Sequence, residues 1–246
     1  MRSRRNFVRL ALLALIAPAA GQARPRAAES PRQVFLPLIL GAPGQDPQAP
    51  PDDMPLLGPP SGAAAQAVEW LSARCAAEYT RYDVGSIVET YQRLGDWAGL
   101  DWFLAIAQMA HETGSLTSWW SGRPRRNPAG IAVTGVMQTG TSDAPPGSGW
   151  TWDDRSGFWR EGWSFPSWAD HAIPAHLGRL LAYALTDAAA SPAQLDLISY
   201  ALSYRAMPER YRGIAPTITG LNGRWAVPGT TYGQRIIELA WSIGHG

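Results

Sequence analysis

Beyond about residue 63, apolar side chains recur every three or four positions along most of the chain, a spacing that predicts amphipathic helices. Val68, Leu71, Cys75 and Tyr79 form the first such stripe. The second follows Asp83, a plausible N-cap, with Val84, Ile87, Val88, Tyr91 and Leu94 on one face and Gly95 at its end. The third runs from about 101 to 113 and stops at Gly114. Three more are expected: near Pro174, at Ser191-Pro192 where Gln194 completes a capping-box pattern, and near Tyr232. Between Ile131 and Phe165 the period drops to two. Trp150 to Asp153 alternates, Asp154 to Gly157 is turn-like, and Phe158 to Trp163 alternates again, which is the pattern of a hairpin. The expected fold is therefore mainly α (α+β), a helical lobe with a small β-hairpin lobe inserted after the third helix.

Upstream of this domain the pattern breaks. Seven prolines fall between Gly41 and Gly62, and each fixes φ and removes an amide donor, so an extended, semi-rigid spacer is expected there. Val34 to Leu40 is a short apolar run broken by Pro37, with no assigned role. At the N-terminus Arg2, Arg4 and Arg5 precede an apolar run from Leu10 to Ala20, with small residues at 21–23. That is the layout of an export signal, and the run is too short to span a bilayer comfortably. Ser3-Arg4-Arg5-Asn6-Phe7-Val8-Arg9 resembles a twin-arginine signal. The expected organisation is a signal over 1–27, a proline-rich spacer over 28–62 and a folded domain over 63–246.

Composition narrows the function only a little. The 246 residues carry a formal net charge of +1, so nothing in the overall charge suggests a nucleic-acid partner. The single cysteine, Cys75, excludes an intramolecular disulfide and sits on an apolar stripe, as a small packed thiol would. Twelve tryptophans and eight tyrosines are unusual; such flat surfaces fill cores or stack on sugar rings.

The chemistry concentrates on the third helix, in Ala107-Gln108-Met109-Ala110-His111-Glu112-Thr113-Gly114. Glu112 falls in the last turn, at the negative end of the helix dipole, where an ionised carboxylate is disfavoured. Burial would raise its pKa further, and a carboxyl held protonated near neutrality is what a general acid requires. By pattern alone a helical glutamate is more often a solvated residue. A zinc-protease reading of His111-Glu112 fails because position 115, one turn on, is Ser115. His171 and His176, five apart around Pro174, do not suit a helical metal site either. No metal and no cofactor are expected.

Ile106 to Gly114, followed by Arg126-Asn127-Pro128-Ala129-Gly130-Ile131, resembles the bacterial glucosaminidase-domain family, the autolysin-type and flagellar endo-β-N-acetylglucosaminidases. The resemblance extends through Phe165-Pro166-Ser167-Trp168 and Ala175-His176-Leu177 to Trp225-Ala226-Val227-Pro228-Gly229-Thr230-Thr231-Tyr232, and so spans the whole expected domain. It implies a lysozyme-like fold with a cleft between two lobes, and hydrolysis of the β-1,4 bond on the reducing side of N-acetylglucosamine in peptidoglycan. Glu112 matches the family's catalytic glutamate. Asp153 matches a second acid proposed in the hairpin, with an aspartate where glutamate is common; Asp154 and Glu161 are its neighbours. A turn pair capping its own backbone is the competing reading of Asp153 and Asp154.

Trp119, Asn127, Trp152, Trp225 and Tyr232 are the candidate substrate-binding residues, Asn127 mainly through shaping the turn into Gly130. Trp225 stands where relatives often carry tyrosine, which keeps an aromatic wall but not a phenolic hydroxyl. Arg123, Arg125 and Arg126 form a basic loop that could meet lactyl or peptide carboxylates. The implied partner is the peptidoglycan glycan strand, with no nucleic acid, no membrane span once the signal is removed, a monomeric state and a secreted, wall-associated location. Two alternatives stay open: a muramidase or lytic transglycosylase of the same fold, and an inactive glycan-binding module.

Overall fold

The structure, a computed structural model, describes residues 49–246; the expected signal over 1–27 and the apolar run over 34–40 lie outside them. Among the described residues there are six α-helices: α1 (Ala64–Ser72), α2 (Arg81–Ala98), α3 (Trp102–Thr113), α4 (Ile173–Ala184), α5 (Pro192–Tyr204) and α6 (Tyr232–His245). Three short strands, β1 (Met137–Thr139), β2 (Trp150–Asp153) and β3 (Phe158–Glu161), lie between α3 and α4. The fold is mainly α with a small antiparallel sheet in the order β1-β3-β2. No helix among the described residues is long and apolar enough to cross a membrane.

The helix signals locate most ends. Asp101 caps α3 by accepting from the Leu104 amide at 3.0 Å, and Ser191 and Gln194 form the capping box of α5. Two boundaries differ from expectation. α1 stops at Ser72, so Cys75 and Tyr79 pack from the turns beyond it. α2 is capped by Thr80, with Asp83 as the reciprocal partner of its box, and it runs through Gly95 to end at Gly99 in the left-handed region. Gly95 is instead a packing device: a Cβ there would lie 2.5 Å from that of Trp102. Gly178 does the same for α4, where a Cβ would meet the Leu197 carbonyl oxygen of α5 at 1.9 Å.

The hairpin is as the alternation predicts, with Trp152 opposite Trp159 and a turn closed by the Gly157 amide on the Asp153 carbonyl at 2.9 Å. β1 gave no signal because all three of its residues are exposed. The last part of the proline-dense stretch packs on the helical body. Leu56 is buried in the core, its amide donates to Pro216 and its carbonyl accepts from Asp101, both at 2.9 Å.

α3 is the element that positions the site. Ten of its twelve residues are buried, so it runs through the core and not along a surface. Only His111 and Glu112, in its last turn, are partly exposed. The chain then reverses sharply, with Gly114, Ser115 and Leu116 all at positive φ (57°, 60° and 67°). Two non-glycine residues in that region carry strain. Burial of Leu116 and its amide's bond to Thr113 Oγ1, at 2.9 Å, hold the turn in place.

Candidate active site

Glu112 emerges where α3 ends, in an open cavity of about 400 Å³ lined also by His111, the 228–232 segment and Arg235. Its lining includes one carboxylate, that of Glu112. Burial raises the Glu112 pKa, and two neighbours pull it partway back: the Tyr232 hydroxyl, which donates to Oε1 at 2.5 Å, and, to a lesser extent, Trp225. Trp225 therefore still favours the anionic form of the acid although it lacks a phenolic hydroxyl. His111 packs edge-on against Tyr232, and burial followed by the charge of Arg235 lowers its pKa. A neutral imidazole there adds no positive charge to draw the proton off Glu112.

The Tyr232 hydroxyl is the end of a buried chain of hydrogen bonds. Gln108, one turn before Glu112 on the same face, donates Nε2 to it at 2.8 Å. The Gln108 Oε1 then faces His176 Nε2 at 2.9 Å, and His176 Nδ1 faces the Tyr91 hydroxyl at 2.8 Å. Since Gln108 spends its amide hydrogens on Tyr232, its oxygen must accept, so His176 carries its proton on Nε2 and accepts from Tyr91 at Nδ1. Every donor then points towards Glu112. His176, Gln108 and Tyr91 are fully buried, and burial pushes the His176 pKa down to about 3, so the imidazole is neutral. The chain crosses α2, α4, α3 and α6 and fixes the carboxyl from behind.

The other candidates divide. Asp153, expected as a second acid facing the cleft, is buried and caps its own hairpin. Its carboxylate accepts from the Arg155 amide at 3.1 Å, from Ser156 Oγ at 2.8 Å and from Arg160 at 2.8 Å. Burial alone would raise its pKa, but these bonds outweigh it and hold the pKa low. Asn127 is likewise fully buried. Its Nδ2 donates to the Ile131 and Trp163 carbonyls and its Oδ1 accepts from the Ala129 and Ile131 amides, so it organises the loop and offers nothing outward. Trp119 lies under two guanidinium groups, Arg125 at 4.0 Å and Arg160 at 5.3 Å, and Trp152 packs against Trp159. Neither lines the cavity at Glu112; Tyr232 does, and Trp225 reaches the same carboxyl.

The three arginines of the basic loop are each engaged by other groups of the protein. Arg123 pairs with Asp83 at 2.5 Å, Arg125 donates to the Trp119 carbonyl, and Arg126 donates to the Pro124 carbonyl at 2.9 Å. Tyr91, Gln108 and His176 were not anticipated as site residues. The available signal was Gln108 itself, the one polar side chain in the otherwise apolar run from Trp102 to Ala110, four residues before the acid.

No family model matches the chain, and neither does any curated protein. Among solved structures it is similar to the catalytic domain of the autolysin Auto from Listeria monocytogenes, at 17% identity over 75% of this chain and 98% of that one, with a TM-score of 0.39.

Proposed function

We propose that the protein is an exported peptidoglycan-cleaving glycosidase of lysozyme-like architecture, an endo-β-N-acetylglucosaminidase with Glu112 as its general acid. The observation that carries this reading is the environment of Glu112. A carboxyl at a helix C-terminus, desolvated in an open cleft, favours the protonated form, while the fixed Tyr232 hydroxyl stands ready for the anion. Protonating the glycosidic oxygen expels the leaving sugar and leaves a carboxylate. The Tyr232 hydroxyl stabilises that carboxylate in place, so it can take a proton back from the incoming water. The hydrogen-bonded chain behind Tyr232 keeps the carboxyl in one orientation throughout.

The single carboxylate in the cavity, together with the occupied Asp153, favours chemistry that needs only one protein acid. Within hydrolysis this is assistance by the substrate's own acetamido group. The second reading it supports is a lytic transglycosylase, which closes an anhydro sugar without water. Lysis of purified walls by the wild-type protein and by Glu112→Gln tests the acid. The substitution is expected to reduce the rate by about 10²- to 10⁴-fold; equal rates would reject the assignment.

A further inference from the structure

Besides reaching Glu112, Trp225 lines a second, smaller cavity of about 100 Å³. Its other walls are residues 129–132, which follow the Asn127 loop, Tyr183, and three arginines: Arg179 on α4, Arg205 just beyond α5, and Arg224. No carboxylate is among its lining residues, and none of the three arginines is in an ion pair among the described residues. Arg179 is half-buried, and burial lowers its pKa, with the charge of Arg205 adding to the effect. Its Nη1 donates to the Arg205 carbonyl at 3.0 Å, and Arg224 Nη1 donates to the Gly220 carbonyl at 2.8 Å. Each guanidinium has five N–H donors, so these bonds leave most of them unspent. The Tyr183 hydroxyl, on the Arg224 carbonyl at 3.3 Å, ties the wall together.

Arg205 and Arg224 are exposed and Arg179 is half-buried, so three like charges converge on one small cavity whose lining supplies no counter-charge. The arrangement is complementary to an oxyanion, and guanidinium forks match a carboxylate through paired, charge-assisted bonds. We propose that this arginine pocket binds a carboxylate carried on the glycan strand, next to the bond that Glu112 protonates. The proposal rests on the reading of the cleft as a peptidoglycan site. Peptidoglycan offers that group from two sources: the stem peptide and, where the stem has been removed, the lactyl ether of the muramyl sugar. In either case it occurs only on every second sugar. Anchoring it beside Trp225 sets the register of the strand and so decides which of the two alternating glycosidic bonds meets Glu112.

The test uses three small ligands on the whole protein: N-acetylglucosamine, which is neutral, N-acetylmuramic acid, with a lactyl carboxylate, and muramyl dipeptide, with a stem carboxylate. Binding is followed through the Arg179 Nε–H resonance and by titration. At least one anionic ligand is expected to move that resonance and to bind about tenfold or more tightly than the neutral sugar. Arg205→Gln with Arg224→Gln, both exposed positions, is expected to bring that preference close to one. The ligand that shows the preference identifies the source. If all three ligands bind alike, or the double substitution keeps the preference, the pocket proposal is overturned. Peptidoglycan left uncut by a protein that still discriminates the anionic sugars would reject the catalytic reading and leave the pocket standing; cleavage without discrimination would do the reverse.

Discussion

Tyr232→Phe isolates the hydroxyl that joins the buried chain to the acid. It deletes a bond to Glu112 and leaves the Gln108 amide, fully buried, without its acceptor. The lost bond contributes about 1 kcal/mol when Glu112 is protonated, and an unsatisfied buried donor costs about 1–3 kcal/mol, so the domain should lose about 2–4 kcal/mol. That corresponds to a fall in Tm of roughly 5–15 °C for a domain of this size. The loss should grow as pH rises through the Glu112 ionisation, because a bond to a carboxylate is worth more than one to a carboxyl. The effect on activity has a definite sign. Tyr232 lowers the Glu112 pKa, so its removal lets the protonated acid persist to higher pH. The alkaline limb of the rate profile should move up, while kcat falls less than in Glu112→Gln. Rate profiles on solubilised peptidoglycan, with urea unfolding at two pH values, measure both. An alkaline limb that stays put or moves down would refute the role given to the hydroxyl.

Three further outcomes follow from the same geometry. His176 has a pKa pushed from 6.5 to about 3 by burial, so the unfolded chain binds the proton first. Stability is then fully present above pH 6.5 and is lost as pH falls, by about 2 kcal/mol between pH 7 and 5 from this group alone. His176→Gln should remove that component of the slope in urea titrations, and an unchanged slope would contradict a buried neutral imidazole. Asp153→Asn should weaken the hairpin by about 1–3 kcal/mol, measured by thermal unfolding, yet keep activity within about tenfold of wild type where fully folded; a loss matching Glu112→Gln would restore Asp153 as a second acid. Gly178→Ala forces α4 and α5 apart and should destabilise by about 3 kcal/mol or more in urea unfolding, and a neutral result would refute the close approach.

Periodicity and capping residues made the helices and the hairpin legible, because those features are local: Asp101, Ser191 with Gln194, and Gly114 each act within one turn. The spacing extends past the end of α1 because tertiary packing buries Tyr79 and partly buries Cys75, which continue the helical period by coincidence. Gly95 misled for the opposite reason: it serves a neighbouring helix, not its own end. The place of Glu112 in the last turn of α3 was legible from the helical spacing and from Gly114. The chain through Gln108, His176 and Tyr91 was not, since its members lie up to 85 residues apart and meet only through folding. Asp153 matched a position in a pattern, but the Arg160 that pairs with it comes from the next strand, where it stands opposite Thr151.

The central claim is that Glu112 protonates a glycosidic bond on the reducing side of N-acetylglucosamine. Digestion of purified peptidoglycan by wild type and Glu112→Gln, with product masses and reducing ends identified, tests it most directly. The account predicts fragments ending in reducing N-acetylglucosamine from the wild type and essentially none from the variant. Fragments ending in muramic acid or an anhydro sugar would contradict the bond or the reaction assigned, and wild-type products released undiminished by Glu112→Gln would contradict the acid itself.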